Sequence, residues 1–554
     1  VTARALVLGL DGADPELVLA LGAERLPTLH RLMREGAWAR LRTVQPPATL
    51  PNWTSFLTGL DPGRHGVFDF TTRQGYGVRF TAGTVREAPT LFARLDRLGL
   101  RCACLGFPAT WPPERLEHGI FMSGWDAPVA FEADRSFVWP PALHDALVAR
   151  FGPLLFDDVG EFDADAPGWH EALPAALEAR IEKKTALGEH LLATDAPSGG
   201  WDVFALYFGE SDTAAHHLWA HHDAQSPRHP GLTNAADGLA RVYVALDRAV
   251  ARLLEAAGPD VELTIVSDHG SGGSSDAVMY LNRALADAGL LRFHERRASS
   301  LFRRAKDLAL TRFPPRLKER LFRFRGAMLP SWLESQTRFG AIDFSRTLAF
   351  SDELNYFPAV WLNQVGREPK GFVRAADRAR ASREVERALL ALRDPWTGAR
   401  VVEEVWRREE LYDGQFVDRA PDLVLRLALR DGYSWNLLPS GGPGATFERL
   451  PREEHLGRKG RSLPGSHRER GLFVMAGPRV RPVGELDAHV CDASATWLAR
   501  LDVAPPPEAA GRVLFEALAE PGVDARALPE AEVVRGHGDE AEVEARLRAL
   551  GYVD

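Results

Sequence analysis

Three apolar runs in this chain give way to an aspartate where a strand should stop: ALVLGL ends at Asp11, DVFALYF runs out just before Asp212, and LTIVS ends at Asp268. Short runs of this kind, dense in Val, Leu, Ile and Phe, read as strands buried on both faces. Helical patterns separate them: an amphipathic stretch from Leu26 to Gly36, a helix expected from Trp53 to Thr58, and others from Pro174 to Leu192 and Asp237 to Ala257. That alternation implies a doubly wound, mostly parallel α/β sheet with helices on both faces. Ligands of such sheets gather beyond the carboxyl ends of the strands, so residues far apart in sequence can converge at one rim.

With 554 residues and 45% hydrophobic content the chain can bury one large core that carries insertions. Residues 1–125, 196–290 and 341–518 are expected in that core, with CACLGF, DLVLRL and GLFVMAG as further strands. Two stretches break the rhythm. Residues 126–195 are acidic and aromatic, with Trp139, Trp169, Asp157, Asp158, Glu161, Asp163 and Asp165, and read as a lid or as surface decoration. Residues 291–340 are basic and amphipathic, suited to a packed helical pair or to contact with an anionic substrate or membrane surface. The tail, 519–554, reads as a terminal amphipathic helix docked on the body.

Three cysteines, Cys102, Cys104 and Cys491, cannot all pair, which suits a reducing compartment and core packing. A formal charge of −9 argues against duplex nucleic acid as a partner. The first apolar run is too short for a secretory signal, and no uninterrupted stretch reaches the length of a membrane span. A soluble, cytoplasmic protein is expected.

Asp212 and His216 stand four residues apart, on one face of a helix, the spacing at which a pair can hold one metal. Asp268 and His269 are adjacent, so the chain must leave the sheet there, and the glycines that follow permit it. His467 lies in PGSHRERG, leading into GLFVMAG, and completes the set; His217, His221, His222 and His229 read as ordinary solvated or structural histidines. A hydroxyl, Thr49, lies in PPATLPNWTSFLTG ahead of a helix expected to begin near Asn52, where free N–H groups would face a phosphate. Two divalent cations would balance three aspartates and one threonine alkoxide, leaving a near-neutral site that an anionic phosphodiester can enter. Metal coordination is also the route by which a threonine hydroxyl becomes a nucleophile near neutral pH.

Singly, each motif occurs by chance. Their order does not: VLGLDGADP, PPATLPNWTSFLTGLDPGRHGVFDF, ESDTAAHHLW, VSDHG, NQVGREPKG and SHRERGLFVMAGP together resemble the type I phosphodiesterase and nucleotide pyrophosphatase branch of the alkaline phosphatase superfamily. Bacterial members described as phosphohydrolases or phosphomutases are most similar. The resemblance implies an alkaline-phosphatase-like fold with inserted lid or cap segments and two divalent ions, zinc ahead of manganese. Asp212, His216 and His467 would hold one ion; Asp11, Asp268 and His269 would hold the other. Thr49 would bridge them as the nucleophile and form a phosphothreonine intermediate. Asn52 would donate to a non-bridging phosphoryl oxygen, its other reading being a helix cap or turn residue. Close bacterial relatives often read TPPAW here, so Asn52 departs toward the diesterase pattern, a neutral donor suiting the single charge of a diester. Sulfatases resemble one another in a Cys or Ser nucleophile followed by Pro and Arg, a context that Cys102 and Cys104 lack. Phosphoglycerate mutases use a similar two-metal array with serine, and Thr49 weighs against them. The leading expectation is a phosphodiesterase acting on a small-molecule or lipid phosphoester. The alternatives are a phosphomonoesterase or phosphomutase on the same site, and a non-catalytic protein that binds anionic lipid or polymer through 291–340.

Overall fold

In the computed structural model, ALVLGL, DVFALYF and ELTIV become the middle of one sheet, with Ala3–Leu10 parallel between Trp201–Phe208 and Glu262–Val266. Every residue of the two flanking strands is buried, as strands covered on both faces must be. The sheet has nine strands, in the order Gly484–Leu486, Ala37–Arg42, Arg470–Ala476, Glu262–Val266, Ala3–Leu10, Trp201–Phe208, Cys102–Leu105, Ile120–Met122 and Val138–Trp139. GLFVMAG supplies Arg470–Ala476, antiparallel to both its neighbours, and Val138–Trp139 at the edge is antiparallel too. The remaining pairs are parallel. The structure describes residues 3–519 apart from 70, 81–84, 125–134, 155–158, 160–163, 165, 194–199, 295–337 and 458–461, together with 525–531 and 533.

The expected acidic segment 126–195 does not stand wholly apart from the core. Helix Trp169–Ala193 lies within it, and Leu173, Leu177 and Ile181 repeat at helical spacing as buried residues. That stripe packs the helix onto Gly238–Ala257 and strand Trp201–Phe208. On the opposite side, helices Thr49–Thr58 and Val490–Ala499 pack together, with Ser494 Oγ donating to the Phe56 carbonyl at 2.7 Å. The helix expected from Trp53 begins earlier, at Thr49. Asp157, Asp158, Glu161, Asp163 and Asp165, most of the basic stretch 291–340 and the expected tail helix lie outside the described residues.

DLVLRL departs from its expected place in the main sheet. Leu423–Leu427 lies in a separate antiparallel sheet, ordered Ala349–Phe350, Ala359–Leu362, Leu423–Leu427, Val402–Arg407. Its burial fades from Leu423 to Leu427, so one end meets an apolar cluster and the other reaches the surface. An apolar run of that length fits either sheet, and only the pairing partner decides. This smaller unit has its own apolar cluster, including Phe350, Val360, Leu362, Val385 and Leu423. Strand Gly270–Met279 reaches it from the rim of the main sheet, pairing first with Gly465–Arg468 and then with Phe447–Arg449.

Cys102, Cys104 and Cys491 are buried free thiols, and burial pushes the first two well above the ordinary thiol range. No helix among the described residues is long and apolar enough to cross a membrane.

One buried ion pair ties the helical layer to the rim. Lys184 Nζ lies 2.7 Å from Glu210 Oε1, with both side chains almost fully buried. Removing one partner strands the other charge in a low-dielectric interior. Lys184→Met should destabilise the fold by about 3–5 kcal/mol. Lys184→Met/Glu210→Leu should recover most of that loss, both read as shifts of the urea midpoint.

Candidate active site

The register of the middle strands brings the carboxylates together. Leu10 pairs with Phe208 and Gly9 with Val266, so Asp11 leaves the sheet level with Asp268 and with Gly209, which opens the helix carrying Asp212. Asp11 N donates to the Phe208 carbonyl at 2.9 Å, and Ser211 Oγ to the Asp11 carbonyl at 2.6 Å. Gly12 turns the chain at φ 62°, and a Cβ there would lie 2.9 Å from Asp212 Oδ1. Only glycine allows that turn and that approach together. Ser267 Oγ accepts from Ala13 N and donates to the His269 carbonyl, fixing the bend that carries Asp268 and His269.

His467 comes from strand Gly465–Arg468, paired antiparallel with Gly270–Gly273 so that His467 faces Ser271. A Cβ on Gly465 would sit 2.0 Å from the Ala215 carbonyl oxygen, so the strand lies directly on helix Glu210–His222. That contact sets His467 beside His216, with 3.1 Å between their Nε2 atoms. His467 Nε2 is 3.6 Å from Asp212 Oδ1, and His216 Nε2 is 3.2 Å from the same oxygen. His269 Nε2 lies 3.3 Å from Asp11 Oδ1, 3.4 Å from Asp268 Oδ2 and 4.0 Å from Asp212 Oδ1. Thr49 Oγ1 is 3.5 Å from His269 Nε2. The structure thus brings all six expected ligands and the hydroxyl to one place.

Every imidazole is oriented by main-chain carbonyl oxygen. His216 Nδ1 lies 3.2 Å from Gly465 O, His467 Nδ1 2.7 Å from Pro47 O, and His269 Nδ1 2.9 Å from Gly270 O. A carbonyl can only accept, so each Nδ1 carries a proton and each Nε2 is the nitrogen turned inward. Asp11 is braced likewise: Trp53 Nε1 and the Tyr207 hydroxyl both donate to Oδ2, at 2.9 and 2.6 Å. What remains is a set of buried carboxylate oxygens without hydrogen-bond partners, Asp11 Oδ1, Asp212 Oδ1 and Asp268 Oδ2. Buried unpaired carboxylate oxygens are costly without a cation between them. The donor set therefore fits divalent metal. Asp11, Asp268 and His269 form one ligand cluster, and Asp212, His269 and His467 an overlapping one, with ligand atoms in each within 4.8 Å of one another.

The electrostatics express the same demand. Burial and the neighbouring Asp11 charge push Asp268 well above the usual carboxylate range. Burial alone would lower His269, but Asp268, Asp11 and Asp212 raise it to about 10. For Asp212 burial works upward, and His216, His467 and His269 overcome it and bring the carboxyl down. Protonated His269 stands in for the positive charge that the aspartates require.

Asn52 is a correction. Its side-chain amide donates to the Pro46 and Ala48 carbonyls, both at 2.9 Å, and its Oδ1 accepts from Val44 N at 2.8 Å. Both N–H bonds are engaged in pinning the loop ahead of Thr49, so none faces a phosphoryl oxygen. Thr49 opens its helix after Ala48, so the N–H groups of Thr49 and Leu50 have no intrahelical acceptor.

Sequence reasoning missed Trp53, Tyr207 and Tyr356. Trp53 follows Thr49 by one helical turn, and Tyr207 is a hydroxyl inside an otherwise apolar strand; both were visible signals. Tyr356 had none. It comes from a loop of the smaller unit, its ring stacked on His467 at 3.9 Å and 6°, with its hydroxyl 3.4 Å from His216 Nδ1. His269 covers the other face of His467 at 3.7 Å, making a three-ring stack.

The sequence pattern described as Type I phosphodiesterase / nucleotide pyrophosphatase matches residues 5–437. The chain belongs to that family. The match takes in Asp11, Thr49, Asp212, His216, Asp268 and His269 and ends before His467. Among solved structures, murine ectonucleotide pyrophosphatase / phosphodiesterase 5 is similar at 15% identity, covering 93% of this chain and 100% of that one, with a TM-score of 0.49. Phosphonoacetate hydrolase from Sinorhizobium meliloti 1021, in complex with phosphonoformate, is similar at 16% identity, covering 89% of this chain and 94% of that one, also with a TM-score of 0.49. No curated protein matches the chain.

Metal binding must displace the His269 proton, because a ligand needs a bare Nε2. Since His269 stays protonated up to about 10, zinc added to stripped protein at slightly alkaline pH should release about one proton per chain, and affinity should fall as pH falls. Calorimetry in buffers of different ionisation enthalpy reads both. Gly465→Ala should part His467 from His216 and weaken zinc binding at least about tenfold, measured against a competing chelator.

Proposed function

We propose that the chain is a divalent-metal-dependent phosphodiesterase that works through a phosphothreonine at Thr49. The observation that carries this reading is the convergence of three unpartnered carboxylate oxygens and three inward Nε2 atoms beside one threonine hydroxyl. Asp212, His216 and His467 would hold one ion and Asp11, Asp268 and His269 the other, zinc being favoured and manganese second for these nitrogen and carboxylate donors. Bound there, the ions would supply Lewis-acid charge that lowers the hydroxyl pKa and offsets charge on the phosphoryl and leaving oxygens.

Thr49 Oγ1 attacks phosphorus in line, its proton lost, as the bond to the leaving oxygen breaks. The leaving alcohol departs with a proton from solvent. Water then cleaves the phosphothreonine from the opposite side and restores the hydroxyl. Through both steps the N–H groups of Thr49 and Leu50 would face a non-bridging oxygen, a role taken over from Asn52. Neutral donors suit the single charge of a diester. Arg468, beside His467 in sequence, is turned to Ser434, Gly273 and Gly432 and adds no cation for a monoester. Family membership supports the same choice.

Metal-loaded protein offered bis-p-nitrophenyl phosphate and p-nitrophenyl phosphate in parallel should prefer the diester. Preference for the monoester would instead indicate the phosphomonoesterase or phosphomutase reading, and no turnover with tight binding to acidic liposomes the non-catalytic one. Thr49→Ala should reduce turnover at least about a thousandfold with metal content unchanged.

A further inference from the structure

Two tyrosines of the smaller unit reach the catalytic centre from outside the main sheet. The Tyr356 ring lies 3.9 Å from that of His467 and 6° from parallel, and His269 covers the other face at 3.7 Å and 18°. An imidazole covered on both faces resists tilting, and the Nδ1 bond to the Pro47 carbonyl fixes its turn within its own plane. The Tyr412 hydroxyl donates to the Gln45 carbonyl at 3.0 Å, in the loop that leads into Thr49. Burial pushes the Tyr412 phenol well above its ordinary range, so it stays a donor.

One small apolar cluster joins the two tyrosines. Phe357, next to Tyr356, packs with Tyr412 and Val424 of the smaller unit and with Phe68 of the main one. The Tyr412 ring meets Phe68 edge-on, with 5.0 Å between centroids. The chain ahead of Tyr356 is anchored as well: Glu353 accepts from Asn282 N at 2.9 Å and from Ser440 N at 2.6 Å, and Asn355 Oδ1 accepts from Leu437 N at 2.9 Å. Pro47 links the two contacts, because its carbonyl takes the His467 proton and it lies between Gln45 and Thr49 in sequence. We propose that Tyr356 and Tyr412 are positioning residues, through which the smaller unit sets the Thr49 hydroxyl against the His467 Nε2. Tyr412 acts through the Gln45 carbonyl and Tyr356 through the imidazole plane. A misplacement of about 1 Å at a reacting group can cost about a hundredfold in rate, so contacts of this kind reach the chemistry without touching it.

Tyr412→Phe, which removes only the hydroxyl, should lower kcat for bis-p-nitrophenyl phosphate about tenfold, with KM and zinc content nearly unchanged. Tyr356→Leu should weaken zinc binding about tenfold against a competing chelator and alter the visible absorption of the cobalt-loaded protein. Tyr356→Phe keeps the flat ring and should restore both. The Tyr412 measurement rests on the phosphodiesterase reading with Thr49 as nucleophile. The zinc and cobalt measurements need no substrate, so a wild type that hydrolyses no diester would sink that reading and leave the positioning role to be judged on the metal. An unchanged kcat in Tyr412→Phe of an active enzyme, or a loss confined to KM, would overturn the proposal. So would wild-type zinc affinity and cobalt absorption in folded Tyr356→Leu. Should Tyr356→Leu fail to fold, zinc affinity and cobalt absorption disturbed in folded Tyr356→Phe would overturn it equally.

Discussion

Three buried carboxylates at one rim of a sheet repel one another, and the architecture around them is arranged to hold them there. Parallel pairing of Ala3–Leu10 with both neighbours makes the encounter unavoidable, because the register delivers Asp11, Gly209 and Asp268 at the same level. Hydrogen bonds then engage one oxygen of Asp11 and one of Asp268 and leave the other facing the centre. Such a constellation demands positive charge, and this demand links fold to chemistry: a surface suited only to packing would not leave acceptors unpaired in the interior.

The rim was legible in the sequence because β periodicity and strand-end rules are local. An apolar run followed by an aspartate states both where a strand ends and which way its last residue is sent. Asp212 and His216 were legible for the same reason, through helical spacing. His467 was reached only by completing a set; nothing within PGSHRERG announces that its strand lies against Gly270–Gly273. Long-range pairing of that kind depends on close approaches, such as Gly465 against Ala215, which leave no trace in composition or periodicity.

Asn52 and DLVLRL show where local reading fails. An asparagine has the same donor capacity whether it meets a ligand or a loop, and here the carbonyls of Pro46 and Ala48 lie nearer. A five-residue apolar strand fits a central or a peripheral sheet, and Leu423–Leu427 took the peripheral one. That choice mattered, since the smaller unit contributes Tyr356, which closes the ring stack over His467.

The carbonyls that orient the imidazoles belong to Gly465, Pro47 and Gly270, and a main-chain oxygen survives any side-chain replacement. An alanine scan would therefore pass over this layer of support in silence. Sensitivity moves to positions with no side chain to delete: a Cβ on Gly270 would lie 2.1 Å from the Arg470 carbonyl oxygen, as close as the one on Gly465 comes to Ala215. In such a centre, tolerance to substitution is set by how near two backbones lie, and the residues most resistant to exchange are the smallest ones.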